Sequence, residues 1–132
     1  MKQSIPMPTE SAEQQALFHW AALNERRYPE LRMLHHIPNG GKRNIATARR
    51  LKAEGVKAGV PDICLPVARC GCHGLYIELK RGKGFRVTEL QMAWIQDLAR
   101  EGYSVHVCVG WEAAARAIEG YLRGVDTDIA AF

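Results

Sequence analysis

The chain has 132 residues, of which 47% are hydrophobic and 24% charged, and its formal net charge is +4. This length and composition are typical of one globular domain with a single core. No segment approaches the roughly eighteen consecutive apolar residues of a membrane span, and the N-terminus lacks the apolar stretch of a secretory signal. We therefore expect no membrane partner and a cytoplasmic location.

The positive charge is concentrated in two short segments. Residues 42–57 hold six lysines and arginines against one acidic residue, a net charge of +5, and residues 80–86 carry a net charge of +4. The rest of the chain is therefore at −5. Such asymmetry is typical of a surface that binds a polyanion, and nucleic acid is the commonest polyanion. The alternative is a solvated basic surface without a partner.

The first part of the chain predicts two helices and a short strand. Ser11 and Gln14 have the spacing of a capping box, which predicts a helix over residues 11–27. Residues 31–37 are a strand candidate, and a turn rich in glycine follows them. Asn44 stands where it would cap a second helix.

The second part of the chain predicts a hairpin followed by a strand–helix–strand crossover. Strands are predicted over residues 59–67, 75–80 and 105–109, and a last helix over residues 111–122. Thr88 and Gln91 form a second capping box, which starts the helix between the last two strands. This order predicts an α/β fold in which helices flank a central mixed β-sheet.

Four cysteines occur in the chain, and two of them resemble half of a metal site. Cys70, Cys72 and His73 are adjacent, but no second ligand pair has zinc-site spacing, because Cys64 and Cys108 lie in apolar, strand-like runs. A hairpin tip made of small residues explains the motif better. In a cytoplasmic protein these cysteines are expected as thiols.

The stretch GLYIELK carries two charges inside a predicted strand. Side chains alternate across a strand, so Leu75, Ile77 and Leu79 share the face that enters the core. Glu78 and Lys80 share the other face and point together towards one place. Because an unpaired charge in a core is costly, this pattern indicates a site at the end of the strand.

Asp62 is the natural companion of this charged strand. If the two strands form a hairpin, Asp62 and Glu78 lie side by side, and a divalent cation would relieve the repulsion between them. Oxygen ligands without cysteine or histidine suit Mg²⁺ or Mn²⁺. With Lys80 beside them, these groups suit phosphodiester hydrolysis. The alternative is that Asp62 caps a turn while Glu78 and Lys80 form an exposed pair.

These motifs resemble the PD-(D/E)XK nuclease pattern, with PD at residues 61–62 and ELK at residues 78–80. The segments GVPDICL, GLYIELK and VTELQMAWIQDLAREGYSVHVCVGWEAA are similar to the VRR-NUC branch, especially its small stand-alone members from phages and bacteria. The resemblance implies a restriction-endonuclease-like fold. We therefore expect a flexible N-terminus, a single domain and a C-terminal tail, over residues 1–10, 11–123 and 124–132.

The resemblance also implies roles for individual residues. Asp62 and Glu78 would be metal ligands, and the Leu79 carbonyl would be a further one. Glu13, an acidic residue of the first helix, would join the metal site or order its waters. Lys80 would orient the attacking water and stabilise the transition state.

Two further groups of residues are candidates near this site. Gln91 would support the site from the start of its helix, or merely complete the capping box with Thr88, and both can hold at once. The basic residues that we expect to contact DNA phosphates are Lys42, Arg43, Lys57, Arg81 and Lys83. The alternative for this basic group is a solvated loop.

The predicted function is a Mg²⁺- or Mn²⁺-dependent deoxyribonuclease that acts as a structure-specific endonuclease on branched DNA, such as four-way junctions or flaps. A homodimer would suit the symmetry of a junction, an inference that rests on analogy. Two other classes stay open. One is a non-catalytic nucleic-acid-binding module with a degenerate nuclease site, and the other is an assembly protein whose charged strand pairs with a partner chain.

Overall fold

The structure is a computed structural model, and it describes residues 6–39, 44–82 and 84–125. The helices are α1 (Glu10–Leu23), α2 (Ile45–Ala53), α3 (Glu89–Arg100) and α4 (Trp111–Leu122), with a short 3-10 helix over Pro29–Met33. The strands are β1 (His35–His36), β2 (Ile63–Leu65), β3 (Leu75–Lys80) and β4 (Ser104–Val109). Within the described ranges, no helix has the length and apolar character needed to cross a membrane.

The strands form a mixed sheet in the order β1-β2-β3-β4. β1 pairs with β2 and β2 pairs with β3 in antiparallel register, whereas β3 and β4 are parallel and are joined through α3. The predicted hairpin, the strand–helix–strand crossover and the α/β fold with helices around a central mixed sheet are thereby confirmed. The parallel pair requires the α3 crossover, because a tight turn joins only antiparallel strands.

The hydrophobic core lies between one face of the sheet and the helices α1 and α4. Leu17 of α1, Ile77 and Leu79 of β3, and Ile118 and Tyr121 of α4 are all buried in it. The opposite face of β3 carries the charged residues, which the Gln91 side chain of α3 contacts. The alternation along β3 thus directs its apolar side chains into this core and its charged side chains to the other face, as predicted.

The start of α1 differs from the prediction. Thr9, not Ser11, is the N-cap, because its side-chain oxygen accepts the Ala12 N–H at 3.0 Å. Ser11 instead accepts a hydrogen bond from the Gln15 side chain at 3.1 Å, inside the helix. The capping box predicted for Ser11 and Gln14 is therefore wrong. Thr9 is also a favoured N-cap residue and lies earlier in the chain, which lets the helix begin sooner.

The segment after α1 also differs. The helix ends earlier than predicted, because the Asn24 side chain donates to the Trp20 carbonyl at 2.8 Å and closes the last turn. The predicted strand over residues 31–37 begins with the end of a 3-10 helix instead, over residues 31–33. Pro29 begins a 3-10 helix, for which its restricted φ is suited, and only His35–His36 remain as a strand.

The remaining predicted elements are confirmed, with shifts at their ends. Asn44 caps α2 by accepting the Thr47 N–H at 2.7 Å, and β3 and α4 have the predicted bounds. β2 is shorter than predicted. At the hairpin tip, Arg69 and Cys72 exchange backbone hydrogen bonds of 3.2 and 2.7 Å in a tight turn.

Candidate active site

The hairpin of β2 and β3 brings Asp62 and Glu78 together. Ile63 lies opposite Ile77 in antiparallel register, so Asp62 and Glu78, the residues next along each strand, are neighbours. The negative charge of Asp62 accordingly raises the pKa of Glu78. The two carboxyl groups therefore share one site, as their positions in the sequence predict.

Asp62 is held in place by several hydrogen bonds. Its Oδ2 accepts the Leu79 N–H at 2.8 Å, and its Oδ1 accepts from the Asn39 side chain at 3.4 Å. Its backbone carbonyl accepts the Ile37 N–H at 2.7 Å and contacts His36 Nδ1 at 2.9 Å. Burial raises the pKa of this carboxyl, and the Leu79 N–H opposes the increase. The carboxyl group of Asp62 is thus fixed in position, and its oxygens keep lone pairs free for a further partner.

Glu78 is nearly inaccessible, with 2% of its surface exposed. Its Oε1 accepts from Gln91 Nε2 at 2.7 Å and lies 3.6 Å from Lys80 Nζ. Its Oε2 is buried and has no hydrogen-bond partner within the described part of the chain. Burial, followed by the charge of Asp62, raises the pKa of Glu78 to about 8, although Lys80 lowers it. A buried carboxylate oxygen without a partner is costly and requires an explanation.

Gln91 joins the two charged residues of β3 to the start of α3. Its Oε1 accepts from both Lys80 Nζ and the Thr88 N–H, at 3.0 Å each, while its backbone N–H donates to Thr88 Oγ1 at 3.1 Å. The predicted capping box is therefore confirmed, and the same amide contacts Glu78 and Lys80. Because the Thr88 N–H holds the amide oxygen on one side, the amide NH₂ must face Glu78.

A cavity of about 280 Å³ opens beside Asp62. Its described lining residues are Glu10, Ser11, Gln14, His36, Asn39, Asp62 and Leu79. The charge of Glu10 raises the pKa of both Asp62 and Glu78, so this carboxyl also acts on the site. Sequence reasoning missed Glu10, Gln14 and Asn39. The spacing of four residues between Glu10 and Gln14, which puts both on one helix face, was the signal available.

Glu13 of α1 contacts the start of α4. It does not line this cavity in the described structure, and its Oε2 accepts the N–H of Trp111, the first residue of α4, at 2.6 Å. The N-cap of α4 is Gly110, which has no side chain to cap the helix and has a φ of 84°. A Cβ at that glycine would lie 3.2 Å from Glu13 Oε2. Glu13 therefore caps α4 and places a negative charge at its positive end.

Glu13→Ala should lower the free energy of unfolding by about 1–2 kcal/mol, because the α4 cap is lost. Glu13→Gln should cost less, since it keeps an acceptor oxygen. Urea unfolding in EDTA measures both changes. Ser11→Ala is the matched control on the same helix, and it should change stability by less than about 0.5 kcal/mol. Equal losses for Ser11→Ala and Glu13→Ala would show that Glu13 is not a cap.

The basic candidates are only partly described. Lys57 and Arg81 are exposed, and Arg81 directly follows Lys80. Lys42, Arg43 and Lys83 lie outside the described residues. Among the described residues, no group of three or more His, Cys, Asp and Glu side chains is arranged to hold a metal ion. A cation between the two carboxyl groups would therefore need peptide or water oxygens as well.

Two comparisons with known proteins cover most of the chain. The family model described as the VRR-NUC domain matches residues 5–112 of the chain. A solved structure described as a "VRR_NUC domain protein" superimposes with a TM-score of 0.76 at 31% sequence identity, and the match covers 92% of this chain and 94% of that chain. No curated protein matches the sequence significantly. The matched residues include Asp62, Glu78, Lys80 and Gln91.

Proposed function

Because the chain belongs to the VRR-NUC domain family, a family of nucleases, we propose that it is a metal-dependent deoxyribonuclease that hydrolyses phosphodiester bonds. One observation carries the proposal. Lys80 and Glu78 are 7% and 2% exposed, yet both are ionisable groups held by a single amide, that of Gln91, beside a second carboxyl. Burying such groups is costly for folding, and a function in catalysis accounts for it.

Mg²⁺ or Mn²⁺ fits the oxygens of this site. Asp62 and Glu78 would hold the cation. The cation would then be the partner that Oε2 of Glu78 lacks. The Leu79 carbonyl would be a third ligand, because a strand residue directs its N–H and C=O to the same side and the Leu79 N–H contacts Asp62. When bound, the cation would offset charge on the scissile phosphate and lower the pKa of a water.

Glu10 is the acidic residue of α1 that we propose for this metal site. Its charge acts on both Asp62 and Glu78, and it lines the cavity beside them. Glu13, to which the sequence resemblance gave this role, already accepts the Trp111 N–H. We keep Glu13 as a positioning residue, since it fixes α4 against α1.

Lys80 supplies the positive charge for the reaction. Its ammonium group has three protons, of which one is donated to Gln91 Oε1 and another lies towards Glu78 Oε1 at 3.6 Å. The third is available to a water or to a phosphate oxygen. In this position Lys80 orients the attacking water and stabilises the negative charge that develops on the phosphate. Gln91 keeps the ammonium group in place through the capping box of α3.

We propose that the substrate is branched DNA, such as a four-way junction or a flap, and that a homodimer acts on it in the cytoplasm. Lys57 and Arg81 are exposed, so both are available to contact DNA phosphates. Binding without cleavage is the second candidate function, and the complete set of Asp62, Glu78 and Lys80 favours cleavage over it.

Cleavage of labelled DNA tests the proposal. A four-way junction, a flap and a linear duplex of equal length are incubated with Mg²⁺, Mn²⁺ or EDTA. We expect cutting only with a metal, and faster cutting of the branched DNAs. Cutting that persists in EDTA would contradict the metal site. Salt-dependent DNA binding without cutting in either metal would favour the non-catalytic binding module.

A further inference from the structure

A second cavity, of about 450 Å³, lies between α2 and the start of α3. Its described lining residues are Asn39, Ala48, Leu51, Lys52, Val56, Lys57, Ala58 and Leu90. Its volume is within the range of roughly 300–1,000 Å³ that small-molecule pockets occupy. None of the residues of α2 is buried, so this helix leaves its apolar side open within the described structure.

Both apolar and basic side chains line this cavity. Ala48, Leu51 and Lys52 share one face of α2 at the spacing of three and four residues. Opposite them is Leu90, whose surface is 59% exposed. Aliphatic walls suit a flat, weakly polar ring, and the exposed amines of Lys52 and Lys57 suit an anion attached to it. A nucleotide combines these two parts, an aromatic base and a phosphate.

The cavity adjoins the proposed active site through two residues. Asn39 lines both cavities, and its side chain donates to Asp62 Oδ1 at 3.4 Å. Leu90 directly precedes Gln91, the amide that contacts Glu78 and Lys80. A nucleotide in the cavity would therefore lie next to the phosphate that is cut.

We propose that this cavity binds one unpaired nucleotide of the DNA substrate, with its base between α2 and Leu90 and its phosphate at Lys52 and Lys57. The assignment rests on the proposed function. A base inside a duplex must leave its stack to enter such a cavity, and this cost is smallest where the base is already unpaired. The cavity thus gives a physical reason for preferring DNA with unpaired nucleotides, since contact with the base face does not depend on sequence.

Two variants of α2 that add the same charge separate binding in the cavity from general electrostatics. Ala48→Glu puts a carboxylate on the wall of the cavity, whereas Ala46→Glu adds the same charge at an exposed position of the helix. The probes are a DNA duplex with one unpaired 2-aminopurine and the same duplex fully paired, both in EDTA. Because α2 buries no residue, both variants should fold, and circular dichroism checks this.

We expect Ala48→Glu to bind the probe with the unpaired base about tenfold more weakly than Ala46→Glu, because the base can no longer enter the apolar cavity. The two variants should bind the paired duplex equally. The fluorescence change of 2-aminopurine on binding should be kept in Ala46→Glu and lost in Ala48→Glu.

Equal affinities of the two variants for the unpaired probe would overturn the assignment. Because binding is measured in EDTA, the result is independent of cleavage. If the protein cuts DNA normally but both variants bind the unpaired probe alike, nucleotide binding in the cavity is refuted. The proposed nuclease function is then unaffected. Specific loss of binding in Ala48→Glu, in a protein that cuts no DNA, would support the cavity and refute the nuclease.

Discussion

Lys80→Ala should reduce the rate of DNA cleavage by at least about a thousandfold while leaving DNA affinity nearly unchanged. The ammonium group is buried and held at 3.0 Å from Gln91, so it contributes to the transition state more than to the general attraction of DNA. Single-turnover cleavage with Mg²⁺ measures the first quantity. Binding to the same DNA in EDTA measures the second.

Two further variants control this experiment. Lys80→Met keeps most of the volume of the side chain, and it should fail in cleavage as Lys80→Ala does. Arg100→Ala removes a basic side chain at the other end of α3, where it pairs with Asp97 at the surface, and it should leave cleavage unchanged. If Lys80→Met cut DNA at the rate of the unmodified protein, the proposal that the ammonium group stabilises the transition state would be wrong.

Glu78→Gln should also abolish cleavage, but it should make the metal-free protein more stable at alkaline pH. The ordinary pKa of 4.5 for this carboxyl is raised to about 8 by burial and by Asp62. The folded state therefore keeps a proton that the unfolded state releases between these values. The contribution of Glu78 to stability is fully present below about pH 4.5 and is lost as the pH rises to about 8. Glutamine does not titrate, so the Glu78→Gln variant does not lose this stability as the pH rises.

The stability difference between Glu78→Gln and the unmodified protein should consequently grow from about pH 5 to about pH 8.5, to a few kcal/mol at most. Urea unfolding in EDTA at these two pH values measures it. Addition of Mn²⁺ at the higher pH should stabilise the unmodified protein more than the variant, because the ionised carboxylate is the ligand. A difference that did not change with pH would show that Glu78 is not protonated in the metal-free fold.

The charged strand β3 and its companion Asp62 can be predicted from local sequence patterns. The alternation in GLYIELK predicts which side of β3 enters the core, and burial of Leu75, Ile77 and Leu79 agrees with it. Side chains alternate between the two faces of a strand, so a shift by one residue would put every side chain of β3 on the wrong face. The sequence therefore fixes which face enters the core. The hairpin then brings Asp62 to Glu78 because adjacent antiparallel strands pair in register. The capping box of α3 can also be predicted from the sequence, because it involves only Thr88 and Gln91, three residues apart.

Which residues of other elements reach the site depends on how the helices and strands pack together. Glu13 and Gln14 lie three and four residues after Glu10 on one side of α1, so this spacing shows that both are neighbours of Glu10 but not which of the three reaches the site. Packing of α1 against α4 turns Glu13 towards the Trp111 N–H and leaves Glu10 and Gln14 at the cavity. The contact of Asn39 with Asp62 likewise depends on how the chain folds back. Such contacts between distant segments follow from the relative orientation of whole elements, which local patterns do not encode.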